Sequence, residues 1–98
     1  MPRPKKCRHI KCQPNSYYFK PRGIPLVNLQ EVIITIDEFE AIRLADYDYK
    51  ELYHNDAAAE MRISRATFGR ILAQGRRKVA EALICGKALK IEALTVQD

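Results

Sequence analysis

The feature that most constrains how this chain can fold is a pair of punctuating residues, Ser64 and Gly86. A serine placed just before an apolar-periodic run is a strong helix N-cap, because its hydroxyl accepts a backbone amide that no helical carbonyl can reach. A glycine at the far end adopts the left-handed conformation that stops a helix. Between them Ala66, Phe68, Ile71, Leu72, Val79, Ala82 and Leu83 carry the apolar period to Cys85. The spacing predicts one rod roughly 30 Å long at ~1.5 Å per residue.

A shorter helix is expected from Tyr53 or His54 to Arg62. Two helices that cross steeply need a small residue at the crossing, and Ala58 is placed for it. Ala57 and Met61 from the first helix, Ile63 from the turn, and Phe68 and Ile71 from the second supply the apolar contacts. The positions left facing outward are Arg65, Ala66, Gly69, Arg70, Ala73 and Gln74, all small, basic or polar. That is the surface expected of a recognition helix entering the major groove of DNA. One position departs from the usual helix-turn-helix: Arg62 stands where glycine is common, at a point where the chain tends toward positive φ.

The rest of the chain is read more coarsely. Residues 2–6 are a basic arm, and residues 7–12 a short strand anchored by Ile10. Residues 13–16 form a turn, and Tyr17, Tyr18 and Phe19 a strand-like aromatic run. Residues 20–25 are a loop, since Pro21 and Pro25 restrict their predecessors. Residues 26–32 are ambiguous, a short helical turn being one reading. Thr35 opens a helix through a capping box with Glu38, with Asp37, Glu38 and Glu40 in the first turns favoured by the dipole. Phe39, Ile42 and Ala45 or Leu44 share a face, and the helix should end near Asp46. Residues 47–52 are a polar connection. Residues 88–93 alternate apolar and charged, as a strand does. A lone strand is unstable, so it should pair with the amino-terminal strand or with a partner chain.

The expectation is therefore a mainly α domain, a helix-turn-helix with short terminal β-strands. Residues 1–34 form a basic arm with short strands and a loop, residues 35–86 the helical domain, and residues 87–98 a terminal strand and tail. No apolar run is long enough to span a membrane, and the basic start lacks the apolar stretch of a signal peptide, so a cytoplasmic location is expected.

Net charge is +5, but unevenly placed. Residues 1–22 hold seven bases and no acid, residues 23–62 nine acids against three bases, and residues 63–90 seven bases against Glu81 alone. Two basic blocks around an acidic middle favour a polyanionic partner, read here as double-stranded DNA. Arg65 and Arg70 are candidates for bidentate contacts to guanine edges, and Gln74 for adenine. Ser64 and Thr67 would reach phosphate or a thymine methyl, with Ala66 and Gly69 keeping the approach clear. Arg77 and Lys78, with Arg76, are expected on phosphate. Arg3, Lys5, Lys6 and Arg8 would follow the backbone or enter the minor groove.

Several stretches carry a resemblance. They are Met1-Pro2-Arg3-Pro4, Lys6-Cys7-Arg8, Tyr18-Phe19-Lys20-Pro21 with Gly23-Ile24-Pro25-Leu26, and Thr35 to Leu44. Ile63 to Leu72, Arg76 to Leu83 and Gly86-Lys87-Ala88-Leu89 complete the set. On these the chain resembles the short prokaryotic proteins grouped as domain of unknown function 134. The resemblance implies a helix-turn-helix similar to the promoter-reading fourth region of sigma factors, on a winged-helix-like three-helix core, and a role in transcription regulation.

Other chemistry is weaker. Cys7, His9 and Cys12 form a C-x-H-x-x-C cluster that would need Cys85, His54 or another chain to complete a metal site. A thiol beside Lys6 and Arg8 is a redox-sensing alternative. No glycine-rich phosphate loop, metal-hydrolase helix or nucleophile elbow is present, so no enzyme and no cofactor is expected. Two alternatives to a DNA-binding regulator stand. One is a non-catalytic adaptor that contacts RNA polymerase, and the other a metal- or redox-responsive regulator. A homodimer is also expected, because one small module reads few base pairs.

Overall fold

In the computed structural model, residues 13–48 and 54–92 are described. The expected arm at residues 2–6, the strand at 7–12 with Cys7, His9 and Cys12, and the chain after Glu92 lie outside them. Within the described residues the order is β1 (Tyr18–Phe19), a 3-10 turn (Leu26–Asn28), β2 (Glu31–Ile34) and α1 (Ile36–Ile42). A π-helical turn (Arg43–Tyr47), α2 (His54–Met61), α3 (Arg65–Cys85) and β3 (Ala88–Ile91) follow. The chain is mainly helical, with one three-stranded sheet ordered β1-β3-β2.

Local signals set the helices. The Thr35 hydroxyl accepts from the Glu38 amide at 3.1 Å, and the Glu38 carboxylate accepts from the Thr35 amide at 2.9 Å, completing the capping box. α1 then widens, and the Asp48 amide donates to the Arg43 carbonyl at 2.8 Å, five residues back. Helical structure therefore reaches Tyr47, one residue beyond the expected end. α3 begins after Ser64 and ends where Gly86 turns left-handed at φ 67°, as the two punctuating residues predict.

The strands differ more from expectation. Tyr18, Phe19 and residues 88–91 form strands as read, and β3 does pair with β1, antiparallel, with Tyr18 opposite Lys90. β2 was not expected. The helical turn in the ambiguous region is confined to residues 26–28, and residues 31–34 lie parallel to β3, with Ile34 opposite Ile91. Its pattern buries Val32 and Ile34 and exposes Glu31 and Ile33. The three consecutive apolar residues Val32, Ile33 and Ile34 mask that alternation in the sequence.

Two clusters make the core. Ala41, Leu44, Ala57, Ala58, Met61, Phe68 and Leu72 are buried together where α1, α2 and α3 meet. Ile34, Ile36 and Ile91 join the sheet to the helices, and Val79 of α3 packs on them. Ile42 borders both clusters, so they form one continuous interior. No described helix is long and apolar enough to cross a membrane.

Candidate functional site

The site is built from the turn between α2 and α3. The Ile63 amide donates to the Ala58 carbonyl at 3.1 Å, and the Arg62 amide to the Ala59 carbonyl at 3.0 Å. This pair of bonds is a Schellman closure, which requires a left-handed residue at Arg62. Arg62 supplies it at φ 60°, in the conformation that glycine takes more cheaply. Ile63 then packs on the cluster containing Ala58, fixing the exit angle toward α3.

Ser64 caps α3 by accepting from the Thr67 amide at 3.1 Å, and its hydroxyl donates to Thr67 Oγ1 at 2.9 Å. The first turn is thereby held with its free amides pointing outward, where the helix dipole favours negative charge. The floor is rigid: Phe68 is fully buried, and the His54 ring meets it edge-on at 5.4 Å.

On this floor Arg65, Ala66, Arg70, Ala73, Gln74 and Arg77 are exposed, and Thr67 and Gly69 half-buried. Nothing lies within 4 Å of where a Cβ on Gly69 would sit, so the surface there is open. At about 100° per residue, Ala66, Arg70, Ala73 and Arg77 share one outward face. Arg65 leaves the first turn on one flank and Gln74 extends the other. No carboxylate among the described residues pairs with Arg62, Arg65 or Arg70. Arg65 and Arg70 are exposed and are not folded against the protein's own body.

Two further basic residues of α3, Arg76 and Lys78, are engaged by carboxylates of the chain itself. Lys78 is half-buried, with its ammonium 2.9 Å from the Glu38 carboxylate. Arg76 holds Asp46 through two bonds, of 2.6 and 3.0 Å. That contact draws the Asp46 carboxyl below its ordinary range, chiefly through the hydrogen bond from Arg76. Of the triplet expected on phosphate, the structure leaves Arg77 outward, turns Arg76 toward the π-helical turn and Lys78 toward α1. Arg62, exposed at the turn, adds a further cation, and its sequence signal is an arginine at a position where glycine is less strained.

The alternative metal cluster, Cys7, His9 and Cys12, lies outside the described residues, which by themselves hold no group of three His, Cys, Asp or Glu side chains able to bind an ion. His54 packs on Phe68, whereas Cys85 lies exposed at the other end of α3. About 25 Å of helix separates Phe68 from Cys85 at 1.5 Å per residue. The two side chains offered as a completing ligand thus stand at opposite ends of α3.

Residues 1–96 match the sequence profile of the family described as "Protein of unknown function DUF134". A UPF0251 protein of Thermoanaerobacter pseudethanolicus is 49% identical over 92 residues, covering 94% of this chain and 76% of that protein. The UPF0251 protein of Desulfosudis oleivorans is 51% identical over 92 residues, covering 94% of this chain and 65% of its own length. That of Chlorobium chlorochromatii is 50% identical over 94 residues, and the chain spans 52% of it. No solved structure matches.

Proposed function

This chain belongs to the DUF134 family, whose description states no activity, and from that premise we propose that it is a sequence-specific double-stranded-DNA-binding protein that regulates transcription. The observation that carries this reading is the exposed start of α3. Arg62, Arg65 and Arg70 stand unpaired among the described residues, on a capped helix end whose floor is fully buried. The neighbouring cations Arg76 and Lys78 find carboxylates. The open outward face with Ala66, Arg70 and Ala73 lies in the major groove, where Arg70 and Arg65 reach base edges on different steps. Gln74 reads at the rim. Ser64 and Thr67 present hydroxyls to the phosphate wall, while Arg62 and Arg77 contribute charge to it.

The order α1, α2, α3, with the third helix presented outward, is compatible with the sigma-region-4-like arrangement that the sequence resemblance implies. β3 follows α3 as the strand of a winged helix would. The Asp46–Arg76 and Glu38–Lys78 contacts hold α1 against α3 and so keep the reading head rigid.

Selection of bound duplexes from a random pool, followed by titration of the enriched sequence, tests the reading. Affinity should fall steeply with salt. Arg65→Ala and Arg70→Ala should each weaken binding by roughly five- to 150-fold, corresponding to about 1–3 kcal/mol, and relax base preference at one position. A pool with no enriched sequence, or binding indifferent to salt, would overturn it and favour an adaptor that docks on protein.

A further inference from the structure

The end of α3 opposite to the arginines has the reverse character. Leu83 and Ile84 are 79% and 83% exposed, and Ala80 one turn earlier is exposed as well. The topology brings a second element to the same pole. The Ala88 amide, just past the end of α3, donates to the Gln30 carbonyl at 2.9 Å. The 3-10 turn that precedes Gln30 is therefore carried alongside, with Leu26 60% and Val27 86% exposed. Apolar side chains this open on two elements at one end of a small domain are an unpartnered surface.

We propose that this pole is the contact through which two copies of the chain form a two-fold dimer. Charge selects a second copy as the occupant. The chain is net positive, and its other pole carries unpaired arginines, so two copies repel through that end. Toward the apolar pole Lys87 donates to the Glu81 carboxylate at 2.6 Å within one copy, and Arg77 faces the same carboxylate, so part of the local positive charge is offset. Like surfaces meet there against less opposing charge than at the arginine end. The area is also adequate. The exposed parts of Leu26, Val27, Ala80, Leu83 and Ile84 amount to on the order of 600 Å² per copy, so a two-fold contact that covered all of them would bury at most about 1,200 Å², the lower bound for a specific interface.

The geometry suits the proposed function, and this part of the inference rests on that reading. The reading end of each α3 lies roughly 25 Å along the helix from Ile84. Two such arms meeting at about a right angle place their reading ends about 34 Å apart, one turn of duplex. The preferred DNA site is then a two-fold repeat, with a half-site spacing set by the angle between the two helices.

Sedimentation equilibrium of the full chain under reducing conditions tests the contact without DNA. The wild type should dimerise, and Ile84→Glu and Val27→Glu, on two different elements, should each raise the dimer dissociation constant at least tenfold. Both positions are exposed, so unchanged circular dichroism should show that neither change unfolds the chain. A wild-type dimer that ignores both substitutions uses another surface and overturns the proposal, as does a chain that stays monomeric. In that monomer the maleimide reactivity of Cys85, read with Cys7 and Cys12 replaced by serine, identifies the occupant. A blocked thiol means that the chain's own remaining residues cover the pole, and a reactive one leaves it to another protein. A dimer that selects no DNA sequence would sustain this contact and overturn the function proposed above.

Discussion

Two glycines of α3 and the arginine before it act at the scale of single residues. A Cβ on Gly75 would lie 3.0 Å from Ile42 Cδ1 and 3.2 Å from Glu38 Cβ, so α1 can approach α3 this closely only because the side chain is missing. Gly69, in the same helix, faces open space. Alanine gains about 1 kcal/mol over glycine within a helix. Gly69→Ala should therefore raise the melting temperature by a few degrees. Gly75→Ala meets an overpacking cost of about 1–3 kcal/mol that cancels or exceeds this gain, and should melt at or below the wild type. Thermal denaturation of the pair checks the opposite signs. Arg62 holds φ 60° at a cost of about 1 kcal/mol. Arg62→Gly relieves it, less the extra freedom that glycine adds to the unfolded chain. We expect a higher denaturant midpoint with an unchanged m-value, together with a DNA salt dependence that is shallower by about one phosphate contact.

At the scale of elements, α1 and α3 are clasped by ion pairs as well as by apolar packing. The Arg76–Asp46 pair joins the π-helical turn to the middle of α3, and its side chains are 51% and 38% exposed. Solvent screening keeps such a pair at or below about 1 kcal/mol. Because Asp46 titrates below its ordinary range in the folded protein, its contribution is complete above the unfolded-state value near pH 4 and is lost as pH falls through the folded value. Asp46→Asn should therefore be less stable than the wild type at neutral pH. The gap between the two, followed by urea denaturation across pH, should close below about pH 4. A gap that stays constant into acid would mean that the carboxylate's charge does not carry the clasp.

At the scale of the whole molecule, the sheet and the helices share one interior. Ile91, only 5% exposed, sits in the cluster with Ile34 and Ile36 on which Val79 of α3 packs. β3 is the central strand, and its neighbours come from the far end of the sequence. Ile91→Ala should cost about 2–4 kcal/mol, a large part of the ~5–15 kcal/mol expected of a small domain. The loss should lower a single transition in which helical circular dichroism and tyrosine fluorescence coincide. Separate transitions would show the sheet to be an appendage.

The amino-acid sequence by itself determined the three helices and most of the exposed start of α3. Its caps act across three residues, as Ser64 with Thr67 and Thr35 with Glu38 show, and the apolar period of a helix is complete within a few turns. Interactions that short are written in neighbouring letters. Only the tertiary structure decided that residues 31–34 are a strand, since their partner β3 lies more than fifty residues away. It alone decided which cations face outward, because Arg76 and Lys78 differ from Arg77 only in the carboxylates that α1 and its π-helical extension bring to them. The close approach at Gly75 belongs to the same class. Each of these depends on where a distant segment packs, and that depends on the sum of the burial, which no local pattern records.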